Sequence, residues 1–482
     1  MRDGEGLVAV LSVTLDRTSA EPLVRQLHRH IRELVLTQRL APGARLPSTR
    51  GLSRDLQVSR TVTLDAFAQL TAEGFLESRA GAGHFVAALR LTPMDVAPSA
   101  ANMSAEPGAP LASPGGRPFD PSWQAVDIFP AQAWARMLGR GWRLHQAAAM
   151  ERHWAGLPVL RAALAQHLHA LRGLPLDASR IIVTSGNADA LSLIARSFGS
   201  GSRAWVEDPG YAGSARVFGD AGLAVVPIPV DAEGLEVAAG EQQAPDAGLA
   251  LVTATRQFPL GMPMSLARRL ALLDWARRSG SIIVDDDYDS EIRFAGRPLQ
   301  TLAGLDPAAR VLTIGSFSKL TFPGLRLGYV AGPSELIAAL ADCRRASQAL
   351  VPTSTQAAFA EFVTIGRFAG HLRQLRSYLR SRRHILVESL RREIGDLVEV
   401  LPQEVGMHVT VRLAPRVTER IGDSGLAERA NDDGLVLLPL SEQYLRADRS
   451  HGFLLGYAGW SETELLGAIG KLIALLRDAA DA

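Results

Sequence analysis

The chain has almost no lysine. Among its 482 residues only Lys319 and Lys471 carry an ε-amine, and the rest of its 51 Lys and Arg residues are arginine. Such a bias fits a genome that avoids lysine codons, and a lysine kept under it can do what a guanidinium cannot. Arginine stays protonated in proteins, whereas a lysine amine can lose its proton and attack a carbonyl. The plainer reading is that one of two leftovers landed at 319 by chance, and the surroundings must decide. Cysteine is as scarce. Cys343 alone excludes an internal disulfide framework and fits a reducing compartment. No uncharged apolar run reaches the roughly 18 residues that a membrane helix needs. The opening "MRDGEGLVAVLSVTLD" sets a short apolar stretch behind acidic residues, unlike a signal peptide. We therefore expect a cytoplasmic protein with no membrane partner. A formal net charge of +1 excludes a polycation, and 47% hydrophobic with 21% charged residues suits a large core. The length allows about two to four domains.

Composition shifts along the chain. Residues 91–118 are rich in Pro, Ala, Ser and Gly with little charge, and read as a linker. It separates a small unit, 16–90, from a large one, 119–480. No internal repeat is visible.

The small unit holds 11 Arg and no Lys against 7 Asp and Glu, a local net charge of +4. Leu23, Leu27, Ile31, Leu34 and Val35 recur at helical spacing. Ser48 or Thr49 can cap a short helix that runs to Leu56. Gln57 and Val58 make a turn, and Ser59 caps a second helix from Arg60 to about Glu73. "FLESRAGAGHFVAAL" then alternates as two strands around a glycine turn. A helix, a helix-turn-helix and a hairpin make a winged helix. Ser59, Arg60 and Thr61 stand at a helix N-terminus, where such motifs meet DNA bases and phosphates. Arg50 and Arg54 can hold phosphates, and Gly81 and Gly83 allow close backbone approach. The plainer reading is a packing module with arginines on its solvated face. The stretch "RLPSTRGLSRDLQVSRTVTLDAFAQLTAEGFLESRAGAGHFV" resembles the GntR family of bacterial winged-helix repressors. That resemblance implies DNA contacts at Arg50, Ser59, Arg60, Thr61, Thr63 and the wing glycines. His84 stands where Thr is commoner in the family.

The large unit alternates short β-rich runs with helix-length amphipathic ones. "RIIVTSG", "SRAWVEDPG", "LALVTAT", "SIIVDDDY" and "RVLTIGS" each end in polar or small residues, and "NADALSLIARSFG" and "SLARRLALLDWARRSG" read as helices. The pattern predicts an α/β fold with a mainly parallel sheet, whose ligand site lies where strands end. Four such ends form a constellation. Ser185, Gly186, Asn187 and Ala188 begin a helix whose N–H groups can cradle a phosphate. Tyr211 follows "EDPG" on a loop. "DDDY" ends a strand in three carboxylates and Tyr288. "GSFSKLTFPGLRLGY" supplies Ser316, Ser318, Lys319 and Arg326. Pyridoxal phosphate needs these parts: a carboxylate for its pyridine nitrogen, a phenol for its ring hydroxyl, an amine for its aldehyde, and cations with N–H groups for its phosphate. Each residue also has a plainer reading. The glycine turn is common, Tyr211 can be a core aromatic, the aspartates can be a metal site or a solvated strand end, and Arg326 can be a surface charge.

"VEDPGY", "QFPLGMPMSLARRLALL", "DDDYDSEIRFAGRPL" and "GSFSKLTFPGLRLGY" resemble a fold-type I aminotransferase, specifically the large domain of MocR-type regulators. The resemblance implies that Lys319 forms the internal aldimine with pyridoxal 5'-phosphate and that Asp286 faces the pyridine nitrogen. Tyr288 would face the ring hydroxyl and Tyr211 would lie against the ring. Asn187, Ala188, Ser316 and Arg326 would serve the phosphate. No metal ligand is assigned, and Lys471 reads as a surface residue on a terminal helix.

Three positions depart from the family pattern. Glu151 replaces a tyrosine that reaches a phosphate across the dimer. Ala188 and Asp189 stand where glutamines are common. Leu454 replaces the arginine that holds a substrate carboxylate, which leaves Arg256 as a candidate for that task. We therefore expect a DNA-binding transcriptional regulator that senses a small effector (an amine, an amino acid or pyridoxal phosphate itself), works as a homodimer on a double-stranded operator and has no efficient turnover. The alternatives are a working aminotransferase with an accessory N-terminal domain, and a cofactor-free sensor scaffold.

Overall fold

Buried Leu27, Ile31, Leu34 and Val35 share one face of α1 (Leu23–Leu36), whose other face is polar. The structure, a computed structural model, describes residues 15–17, 19, 21–37, 39–79, 82–88, 116–144, 151–174, 176–198, 201–294, 299–306, 310–402, 405–446 and 449–481. It separates into two units, Met1–Ala109 and Pro110–Ala482. Gly81 and most of the proposed linker lie outside the described residues.

In the small unit Ser48, rather than Thr49, caps α2 (Thr49–Asp55), its hydroxyl accepting from the Gly51 N–H at 3.1 Å. Ser59 caps α3 (Arg60–Ala72), accepting from Val62 at 3.4 Å. Gln57 makes the turn between them in the left-handed region, at φ 51°. β1 (Leu76–Arg79) and β2 (Gly83–Val86) pair antiparallel, with Leu76 opposite Val86. Leu27, Leu52, Phe67, Leu70 and Val86 close one core. This is a winged helix.

The large unit begins with α4 (Ala131–Leu144) and α5 (Pro158–Arg172). Then come β3 (Ile181–Thr184), α6 (Asn187–Phe198), β4 (Arg203–Asp208), α7 (Ala212–Asp220), β5 (Ala224–Asp231), β6 (Gly234–Leu235) and α8 (Val237–Gln243). They are followed by β7 (Leu249–Val252), α9 (Leu266–Ser279), β8 (Ile282–Asp286), α10 (Leu302–Leu305), β9 (Val311–Ser316) and β10 (Gly328–Ala331). These strands form one sheet in the order β3-β10-β9-β8-β7-β4-β5-β6. β9, β8, β7, β4 and β5 run parallel, β10 is antiparallel to both neighbours, and β6 is antiparallel to β5. Successive residues point to opposite faces. Ile282 and Val284 join a core with Val206, Leu193 and Ile314, while Ile283 joins Trp205, Ala250 and Trp275 on the other side. Both faces are covered, which explains why the strands read as continuous apolar runs.

The chain continues through α11 (Ser334–Ser347), α12 (Thr353–Thr364) and the 28-residue α13 (Arg367–Ile394). It ends with β11 (Val398–Val400), β12 (His408–Leu413), α14 (Pro415–Thr418), α15 (Gly422–Asp432), β13 (Leu438–Pro439), β14 (Gly452–Gly456) and α16 (Glu462–Asp481). The last four strands form an antiparallel sheet, β11-β12-β14-β13. Among the described residues no helix is long and apolar enough to cross a membrane.

Candidate functional site

The site lies where β3, β4, β7, β8 and β9 end, and β10 draws two of these ends together. Its first residue, Gly328, registers with Thr184 of β3 and with Ser316 of β9. A side chain at Gly328 would stand 2.6 Å from the Gly315 carbonyl and 3.1 Å from Gly186, so the close crossing requires glycine. The exposed Arg326 is two residues earlier, at φ 47°, and makes no ion pair among the described residues. Register thus brings Ser316 beside the turn at Ser185–Gly186 that leads into α6, with Arg326 two residues before the crossing. The first N–H groups of α6 have no intrahelical acceptor.

Asp286 ends β8, and its Oδ2 accepts from the Asn187 side-chain amide at 2.7 Å. Burial pushes this carboxyl up to about 6, against the opposing effects of Asn187 and Lys319. The amine of Lys319 lies 4.6 Å from the centre of the Tyr288 ring. Burial lowers its pKa, while Asp289 and Asp286 oppose the shift. Tyr288 is buried, which holds its phenol well above the ordinary value and therefore neutral at pH 7.

Arg256 is only 2% exposed, and both of its terminal nitrogens have partners. It reaches Asp289 at 2.6 Å, the Tyr288 hydroxyl at 2.9 Å, and both the ring and the carbonyl of His408 at 3.2 Å. Burial and Arg256 hold His408 well below its ordinary pKa, so it is neutral. A guanidinium can only donate, so His408 accepts through Nε2 and carries its proton on Nδ1. Phe258 stands edge-on to Tyr211, Tyr288 and His408, with centroids 5.7 to 6.0 Å apart. Tyr211 is half exposed and lines one cavity with Asp286, Glu207 and Thr253. A side chain at Gly213 would meet the Tyr211 ring at 2.6 Å. Glu207 receives the Thr253 hydroxyl at 2.5 Å, and burial raises its pKa to about 8.

The three departures have physical settings. Asp189 accepts from the Ser185 N–H at 2.8 Å and from the buried Arg344 at 2.9 Å, so its charge is compensated. Glu151 is exposed and pairs with His153 at 3.1 Å. Leu454 is fully buried in β14, opposite Thr410. Arg256 is tied to Asp289 and is not waiting for a carboxylate.

In the winged helix Arg50, Arg54, Ser59, Arg60, Thr61 and Gly83 are exposed, the last at φ 105°. Thr63 is a correction. It is fully buried, its hydroxyl donating to the Thr49 carbonyl at 3.0 Å and the Arg60 carbonyl at 2.9 Å, so it locks α2 to α3 and is not on the exposed surface. Arg45 is a residue that sequence reading passed over. It is exposed, bridges to Phe85 of the wing, and its guanidinium lies within 3.9 Å of where a Gly83 side chain would begin. The one local signal was an arginine just after the Pro42–Gly43 turn.

Comparison with known proteins agrees with both halves. Residues 23–86 match the family described as "Bacterial regulatory proteins, gntR family", and residues 143–450 match "Aminotransferase class I and II". The chain is 36% identical over 477 residues, 95% of each chain, to the probable rhizopine catabolism regulatory protein MocR of Rhizobium meliloti. It is 30% identical to the pyridoxine biosynthesis regulator PdxR of Corynebacterium glutamicum, covering 97% of this chain and 98% of the other. Its large unit superposes on kynurenine aminotransferase of Pyrococcus horikoshii with a TM-score of 0.68 and 25% identity, over 75% of this chain and 90% of that one. The winged helix and the type I fold together define a DNA-binding transcriptional regulator with an aminotransferase-like unit. Within that class, the chain belongs to the MocR-type regulators of the GntR family.

Proposed function

We propose that the large unit holds pyridoxal 5'-phosphate through Lys319 and reports a small primary amine to the DNA-binding unit. The observation that carries this is a half-buried lysine whose pKa is lowered, beside a neutral phenol and a carboxylate whose second oxygen has no partner among the described residues. Asp286 Oδ1, Asn187 Oδ1, Ser318 Oγ and Thr184 Oγ1 are all buried without a hydrogen-bond partner among the described residues. Such atoms are costly unless something meets them. The residues fit the cofactor. Asp286 would hold the pyridine nitrogen protonated, Tyr288 would bond the ring hydroxyl, and Tyr211 would cover the ring. The α6 N–H groups of Asn187 and Ala188, with Ser316 and Arg326, would hold the phosphate. When bound, the cofactor supplies an aldehyde that a primary amine can take covalently.

Neither Leu454 nor Arg256 offers an incoming carboxylate a guanidinium, since one is apolar and the other is engaged. Sensing therefore suits the chamber better than efficient transamination. Type I units complete their sites at a two-fold interface, so we read the active form as a homodimer in the cytoplasm, bound to an operator. Ligand-dependent DNA affinity would then be a coupling between two sites.

The test is the absorbance spectrum of the purified protein with added pyridoxal phosphate, before and after borohydride. We expect a visible band that reduction removes and that Lys319→Ala lacks. A wild-type spectrum equal to that of free cofactor sinks the reading and leaves a cofactor-free scaffold.

A further inference from the structure

The first two-thirds of α13 is the most one-sided stretch of charge in the large unit. Between Arg367 and His384 it carries six arginines, two histidines and no carboxylate, in a chain whose net charge is only +1. Arg373, Ser377, Arg380, Ser381 and His384 are exposed and follow one another at helical spacing, so they form a single stripe. Arg373 and Arg380 are seven residues, about 10 Å, apart along the axis. Neither pairs with a carboxylate among the described residues. The stripe opens into a groove of about 510 Å³ lined by Phe294, Ser377, Arg380, Ser381, Arg383 and His384. The groove is built rather than loose. Arg380 donates to the Phe294 carbonyl at 2.9 Å, and the Arg383 guanidinium sits 5.8 Å from the Phe294 ring. The acid that touches its lining among the described residues is Glu462. It accepts from Ser381 at 2.8 Å and stands 3.8 Å from Arg382, which stacks on Tyr378. That carboxylate therefore has its own cation and does not neutralise the stripe.

Rows of arginine forks and hydroxyls at such spacing suit phosphate oxygens carried on a polymer better than a single small anion. We propose that α13 carries a second DNA-contact surface, which holds backbone phosphates through Arg373 and Arg380 and adds affinity without sequence preference. The surface rests on DNA binding by the chain and is independent of the cofactor. Each phosphate neutralised on duplex DNA adds about 0.9 to the slope of log affinity against log salt.

The experiment measures binding of the full chain to a short generic duplex across a salt series, by fluorescence anisotropy. The double variant Arg373→Glu/Arg380→Glu is expected to lose about tenfold or more in affinity and about two in slope. The milder Arg373→Gln/Arg380→Gln, with an unchanged circular dichroism spectrum, is expected to lose less affinity but the same slope. The charge-matched control Arg277→Glu/Arg278→Glu, at exposed positions on α9, is expected to lose little. Unchanged affinity and slope in both α13 variants overturns the proposal. An equal loss in the α9 control does so too, because net charge would then be the cause. Pyrophosphate bound by the wild type but not by the α13 variants, with DNA affinity unaltered, overturns it in favour of a small-anion site.

Discussion

Gly406 shows how much of the site depends on one missing side chain. It sits at φ 101°, and a Cβ there would begin 2.4 Å from an Asp289 oxygen and 2.5 Å from an Arg256 nitrogen. Its carbonyl also receives the Tyr457 hydroxyl at 2.5 Å. Gly406→Ala is expected to destabilise the protein by about 3 kcal/mol or more, because it combines left-handed strain with displacement of a buried ion pair. Urea unfolding measures it, and a loss below about 1 kcal/mol would mean that the Arg256 cluster relaxes easily. None of this was legible in the sequence. Arg256, Asp289, Gly406 and His408 come from separate segments, and only the tertiary fold joins them. That Lys319, Asp286 and Tyr288 come together was legible, because they stand at or just beyond the ends of neighbouring parallel strands. Asn187 was legible as the start of a helix at a strand end, but not that its side chain donates to Asp286.

At the scale of elements, α3 carries two kinds of residue that its sequence does not tell apart. Arg60 and Thr61 face outward, and Thr63, two positions later, is buried against α2. Thr63→Val keeps the shape but leaves the Thr49 and Arg60 carbonyls without a side-chain donor. It is expected to cost about 1 to 2 kcal/mol in stability, with DNA affinity unchanged below the melting transition. Arg45→Ala is expected to do the reverse. The fold stays, while affinity falls several-fold on operator and generic DNA alike, and the salt slope drops by about one. A Thr63→Val variant that folds fully yet loses operator binding would restore Thr63 to the DNA surface. The winged helix was legible because caps, helical period and turn residues all agree along it. The parallel strands β3, β4, β7, β8 and β9 were legible as apolar runs with polar ends. β10 was not, because its four residues, Gly328–Ala331, read as the tail of a motif. The small sheet was missed for a related reason. β13 has two residues and β11 three, too few for any period to declare itself.

Over the whole molecule, several buried carboxyls of the large unit shift the same way. Burial raises Glu207 to about 8, Asp285 and Glu291 to about 7, and Asp286 to about 6. The folded state therefore keeps protons that the unfolded chain, with ordinary carboxylates, releases. Stability of the cofactor-free protein is expected to fall as pH rises from about 5 to 8, and to level off above the folded values. Glu207→Gln removes one such proton. Its melting temperature relative to wild type is expected to climb between pH 5 and pH 8, as differential scanning calorimetry can measure. A constant offset across that range would show that Glu207 is ionised in the folded protein.

The two lysines have a practical consequence. Lys471 is exposed, its amine donating to the Asp433 carbonyl at 2.8 Å, whereas Lys319 is recessed in the site. An endoproteinase that cleaves only after lysine would cut the denatured chain at two places and leave three fragments. Once borohydride has fixed a ligand on Lys319, that protease would cut only after Lys471. A single gel lane would then report what fraction of the molecules had carried a covalent occupant. The amino-acid bias of the whole chain thus provides a natural occupancy counter for one side chain.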